Sequence, residues 1–191
     1  MRKPIVVLLL LAVFLTACAK NSASSFLTQL PGDYTLDDAK TDGCVVYEDG
    51  SITDGQQAWD AFVAATNSAK AASVRLAFYY TLGDPSHYAK EYYEEIKDKY
   101  PVLSLQDLRF DGKKYTIQSM EDGKLDTKEY KYLLRYEGKP GSSDAIFSHY
   151  VYYVLVQDDT VTWDQIEHGM ISSQSGDWID HRTVYTCLTM K

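Results

Sequence analysis

Side chains able to do chemistry are few in this chain. Besides three cysteines (Cys18, Cys44 and Cys187), the main gathering of ionisable groups lies in the last third: Asp164, His168, Asp177, Asp180 and His181. Imidazoles and carboxylates are zinc ligands, and residues at i and i+4, such as Asp164 and His168, share one helix face. A hydrolase or metal-dependent activity would centre on Asp164, His168, Asp180 and His181. The spacing matches no standard zinc pattern, however, and Glu167 and His168 point to different sides. His149 falls in a strand pattern and reads as sheet surface; His87, near a helix start, reads as solvated. A Gly-x-Ser-x-Gly elbow, a phosphate loop, a dinucleotide glycine pattern and a Cys-x-x-Cys pair are all missing, and Ser175-Gly176 sits in a loop. No catalytic residue and no cofactor can be named on this basis, so the reading leans to a non-catalytic binding domain.

Cys18 carries a different chemistry. It follows Leu15-Thr16-Ala17, behind a basic start (Arg2, Lys3) and an unbroken apolar run from Ile5 to Leu15. That run is shorter than the roughly 20 residues a spanning helix needs and has the layout of an export signal. The small residue before the cysteine resembles the lipobox of bacterial lipoproteins. The resemblance implies a diacylglyceryl group on the Cys18 thiol and loss of residues 1–17. It also implies a lipid anchor on the extracytoplasmic face of the cell membrane. Two or three acyl chains on one cysteine hold stably where one is marginal.

The formal charge of −8 falls to −10 once Arg2 and Lys3 are removed with the signal. An acidic surface disfavours nucleic acid and anionic headgroups, so attachment rests on the acyl chains. Cys44 and Cys187 both lie in apolar surroundings. Either they form a disulfide, worth roughly 4–5 kcal/mol for so long a loop, or they are two separate buried thiols. Tyrosine, at 16 residues, is the compositional outlier. It suits half-buried antiparallel sheets, and could equally offer a face for a glycan or peptide.

Residues 18–32 read as a small, polar tether, and 33–191 as one folded domain. Thr35 has the character of an N-cap, with Asp37 and Asp38 in the first turn and Gly43 as the stop. A strand begins at Val45-Val46-Tyr47 and turns at Asp49-Gly50. Asp54-Gly55 opens a helix to about Ser68, with Trp59, Phe62, Val63 and Thr66 on one face. Ser73 to Leu82 alternates strictly and reads as a strand. A helix is expected from Asp84-Pro85 to Tyr100. A β-meander follows, with turns at Asp111-Gly112 and Asp122-Gly123. Thr162 caps a short helix to about Ile171, and a last strand runs from about Arg182 to Met190. This order predicts an α+β fold: an antiparallel meander sheet with two to four helices packed mainly on one face, in a single domain.

Several of these segments resemble a family of Gram-positive lipoproteins, the one containing domain of unknown function 4362. They are Tyr34 to Gly43 followed by Val45-Val46; Val74-Arg75-Leu76 running to Tyr80–Pro85; Leu108 to Lys114; and Tyr185-Thr186-Cys187. The chain departs from the family's pattern at Cys44, where an acidic residue is usual, and in extra length around 86–101 and 162–178. The resemblance implies a lipid-anchored envelope domain whose partner is an envelope protein, peptide or glycan. It supplies no reaction to transfer.

Overall fold

The computed structural model describes residues 25–191; Cys18, the signal segment 1–17 and the start of the tether lie outside them. The first packed residues come earlier than the expected boundary at 33. A 3-10 turn at Phe26–Thr28 buries Leu27, and the Phe26 ring receives the Arg75 guanidinium 3.8 Å from its centroid.

Helix α1 (Leu36–Thr41) starts as its sequence dictates. The Asp38 amide donates to the Thr35 hydroxyl (3.2 Å) and the Thr35 amide donates to the Asp38 carboxylate (2.9 Å), so two free donors of the first turn are satisfied reciprocally. Strands β1 (Val45–Glu48) and β2 (Ser51–Asp54) form a hairpin around Asp49 and Gly50, both at positive φ. This pair of left-handed residues makes the turn that matches strand twist. Helix α2 (Gln56–Asn67) then crosses back to β3 (Ala72–Tyr80), which lies parallel to β1. Strands β4 (Val102–Phe110), β5 (Tyr115–Glu121) and β6 (Lys124–Tyr130) extend the sheet as the expected meander, giving the order β2-β1-β3-β4-β5-β6. After the single residue Lys131 the chain enters a second sheet of β7 (Tyr132–Gly138), β8 (Phe147–Val156) and β9 (His181–Met190). Helix α4 (Trp163–Ile171) carries the expected cap, the Gln165 amide donating to the Thr162 hydroxyl at 3.3 Å.

The fold is α+β in one domain, as its order of elements implies. Three details differ from expectation. The six-stranded sheet is mixed, because α2 acts as a crossover and returns β3 parallel to β1. The helices are not gathered on one face. Val46, Ala77 and Cys44 pack under α1, Trp59 and Phe62 of α2 sit on the opposite face, and α4 covers the far side of the second sheet through Ile166. The long helix expected over 84–100 is broken. The Asp84 carboxylate accepts from the Ser86 amide (2.8 Å) and closes a 3-10 turn at Pro85–His87. Tyr88 and Ala89 are extended, α3 spans only Lys90–Ile96, and a further 3-10 turn follows at Lys97–Lys99. Ile96 is the one residue of α3 that is buried, too small an apolar face to hold a longer helix.

One apolar core joins the two sheets. Trp59, 1 % exposed, stacks on Tyr185 of β9 at 4.7 Å and meets Tyr153 of β8 edge-on at 5.2 Å. Tyr47 stacks on Phe78 at 4.8 Å in the first sheet and reaches Tyr185 in the second at 6.3 Å. Aromatic pairs of this kind add to the area they bury. Among the described residues no helix is long and apolar enough to cross a membrane.

Candidate functional site

A concavity opens where two sheet edges meet. Strand β2 is an edge of the first sheet and β9 an edge of the second. Between them lies a cleft of about 820 Å³, within the size range of ligand sites. One wall is the β1–β2 turn and the start of α2, from Asp49 to Gln57. The other is Thr186, Cys187, Leu188 and Met190 of β9, with Ile146 at the rim.

Local sequence fixes both walls. Gly55, at φ +77°, lets α2 begin directly against β1. A Cβ there would lie 2.3 Å from the Cys44 carbonyl oxygen and 2.7 Å from the Val45 Cα. The Asp54 carboxylate accepts from the Gly55 amide at 2.6 Å. The turn is moored to β3 through Asp49, whose carboxylate accepts from both the Thr81 amide and hydroxyl at 2.7 Å. Those donors hold the Asp49 carboxyl below the usual carboxylate range. Glu48, also held low, is paired with Lys40 of α1 at 2.7 Å. On the other wall, the Tyr185 hydroxyl donates to the Gln56 side chain (3.1 Å) and the Thr186 amide donates to the Tyr47 hydroxyl (3.4 Å).

Those last contacts fix the direction of the β9 backbone. The Thr186 N–H points away from β8, so by strand alternation Leu188 and Met190 turn their backbone groups the same way, out of the sheet. The Lys191 amide, one residue beyond Met190 and so in the opposite phase, donates inward to the Ile146 carbonyl at 3.1 Å. The cleft therefore presents an unpaired strand edge. No Lys, Arg or His lines it, whereas Asp49 and Asp54 do.

Cys187 is exposed on this wall, and Cys44 is fully buried under α1 with Ala39, Val46 and Ala77. Both are free thiols, so the bridge considered between them is not formed: one thiol is sealed in the α1 layer and the other faces the cleft. Burial pushes the Cys44 thiol up from its ordinary value. Beside Cys187, His149 Nε2 sits 3.1 Å from Glu137 Oε1, and Arg135 holds the other carboxylate oxygen. The register pairs Cys187 with Val151 and Thr189 with His149, making Cys187 and His149 diagonal neighbours. Such backbones stand roughly 7–8 Å apart. His149 directs its Nε2 to Glu137, and among the described residues no hydrogen bond joins it to the Cys187 thiol.

The C-terminal polar residues are dispersed. His168 of α4 lies 3.5 Å from Asp177, which also accepts from Ser172. Asp164 sits in the exposed first turn of α4. Asp180 turns to the Tyr130 hydroxyl (3.4 Å), and His181 Nδ1 lies 2.7 Å from the Ile179 carbonyl with its ring near Trp178. Among the described residues no three His, Cys, Asp or Glu side chains converge as metal ligands do. His87 is exposed in its 3-10 turn. Many tyrosines take part in packing: Tyr150 stacks on Tyr152 at 4.7 Å, and Tyr152 meets Trp163 at 4.5 Å.

Sequence reasoning missed the cleft because it missed β2. The signal was present, since two residues of Asp-Gly between short extended runs specify a hairpin. Comparison with known proteins finds no matching family model, no similar curated protein and no similar solved structure.

Proposed function

We propose that this chain is a lipid-anchored extracytoplasmic domain that binds a partner in the β2/β9 cleft and performs no bond-making chemistry there. The observation that carries the binding reading is the convergence of two unpaired sheet edges on one open cleft. The anchor rests on the charged start, short apolar run and small-residue approach to Cys18, and on the resemblance to lipoproteins that those residues and the four later segments carry. Cys18 stands seven residues before Ser25, a reach of at most about 25 Å. An acyl anchor would thus tie the 3-10 turn at Phe26–Thr28 and the sheet face beneath it close to the bilayer. Mass spectrometry of the chain purified from membranes tests the anchor. The expected product starts at Cys18 bearing two or three acyl chains, and a mature chain starting elsewhere without lipid refutes it.

A further inference from the structure

Resting on that binding reading, we infer that the cleft takes an extended cationic peptide, added as a strand to the free edge of β9. Three features define this occupant.

The first is backbone chemistry. Leu188 and Met190 face the cleft with unpaired N–H and C=O groups, the template on which an extended chain adds to a sheet. A sugar does not match a row of donors and acceptors repeating at strand spacing; an extended peptide does.

The second is space. A strand seated between two edges at once needs two inter-strand spacings, about 9.6 Å. The β2 and β9 backbones approach within 8 Å, Cα to Cα, so no strand fits between them at that point. On β9 the Thr186 N–H is already taken by the Tyr47 hydroxyl, so the peptide lies along the edge beyond Thr186, toward Met190 and Ile146. There the apolar side chains of Ile146 (71 % exposed) and Met190 (57 % exposed) stand uncovered beside the edge. Burying them is the apolar part of the affinity.

The third is charge. Asp49 and Asp54 are the ionisable carboxylates of the lining; neither forms an ion pair within the described residues, and Lys40, the cation that Asp54 acts on from nearby, is held by Glu48. Hydrogen bonds from Thr81 hold Asp49 in its charged form. With no cation on either wall, lysine or arginine side chains on the incoming strand complete the site, and acidic ones are repelled.

The test is fluorescence anisotropy with the full chain in non-ionic detergent. Three labelled heptapeptides serve as probes: alternating Val and Lys; alternating Val and Glu; and the Val-Lys peptide N-methylated at two consecutive central residues, which blocks both of its backbone edges. The inference expects saturable binding of the Val-Lys peptide, weakened by added salt, and at least ~10-fold weaker binding of the other two. Asp54→Asn, which keeps the acceptor for the Gly55 amide, should weaken the Val-Lys peptide several-fold. Leu188→Pro removes an outward N–H without touching the β8 ladder and should weaken it further. Equal binding of the Val-Glu peptide overturns the charge assignment, and equal binding of the N-methylated peptide overturns strand addition. No binding of any peptide overturns the inference while leaving the anchored-domain reading to the mass of the Cys18 peptide.

Discussion

Gly55 is the residue on which the cleft most depends. Its positive φ and its contact with the β1 backbone leave no space for a side chain, and it sets where α2 leaves the cleft wall. Gly55→Ala should destabilise the domain by about 1–3 kcal/mol from backbone strain, and by more if β1 must move. Gly141 is a matched control, since a Cβ there meets nothing within 4 Å; Gly141→Ala should be near neutral. Urea unfolding midpoints check both, and an unchanged midpoint for Gly55→Ala would contradict the close approach. At this scale the sequence was legible where a side chain acts on its own neighbours. Thr35, Thr162, Asp49-Gly50 and Asp122-Gly123 announce caps and turns through local chemistry. The contacts of Asp49 with Thr81 and of Tyr47 with Thr186 join residues far apart in the chain, and nothing local encodes them.

Among the elements, those with strong periodicity were readable and those held by tertiary contacts were not. The Trp59, Phe62, Thr66 stripe of α2 is buried as its spacing requires. Strand β3 has Val74 and Leu76 buried on the face that meets α2, and Ala77 on the other. By contrast β2 is only four residues long and its side chains are mostly exposed, so it lacks the alternation that marks a strand. The segment at 84–100 shows the converse failure: its Tyr88, Tyr92, Ile96 spacing suggests a continuous helix, yet Tyr92 stays 54 % exposed. Helix α4 depends on its start, since only Ile166 and Gly169 of its residues are buried. Thr162→Ala should therefore cost about 1 kcal/mol. Hydrogen exchange should show faster opening of 163–171 with β8 and β9 unaffected. Equal loss of protection across the second sheet would mean that α4 is integral to it.

The whole molecule is a layered body in which one aromatic core joins two sheets and leaves an open seam at one edge. Its pH response follows from that core. Burial pushes Tyr130 up to about 12, with nearby Asp180 adding to the effect, and raises Tyr47, Tyr115 and Tyr185 as well. A tyrosine held protonated in the fold ionises first in the unfolded chain, near 10. Unfolding then releases protons, and stability falls as pH rises from about 10 toward 12. Thermal melts across that range should show the decline, with tyrosinate absorbance rising together with unfolding; a melting temperature flat to pH 12 would contradict the assignment. The fold class was legible because element order alone prescribes α+β. The division into two sheets was not, because the step from β6 to β7 takes only Lys131, which carries no turn signal.

Cys187 reports on both the proposed extracytoplasmic location and the open cleft beside β9. Cys187 is exposed on the cleft wall while Cys44 is fully buried. Intact cells expressing the chain, treated with a membrane-impermeant maleimide and analysed by peptide mass spectrometry, should carry the label on Cys187. Cys44 should be modified only after denaturation. A Cys187 that stays unlabelled on intact cells but reacts once they are lysed would contradict the location, and one that reacts only on unfolding would contradict the cleft.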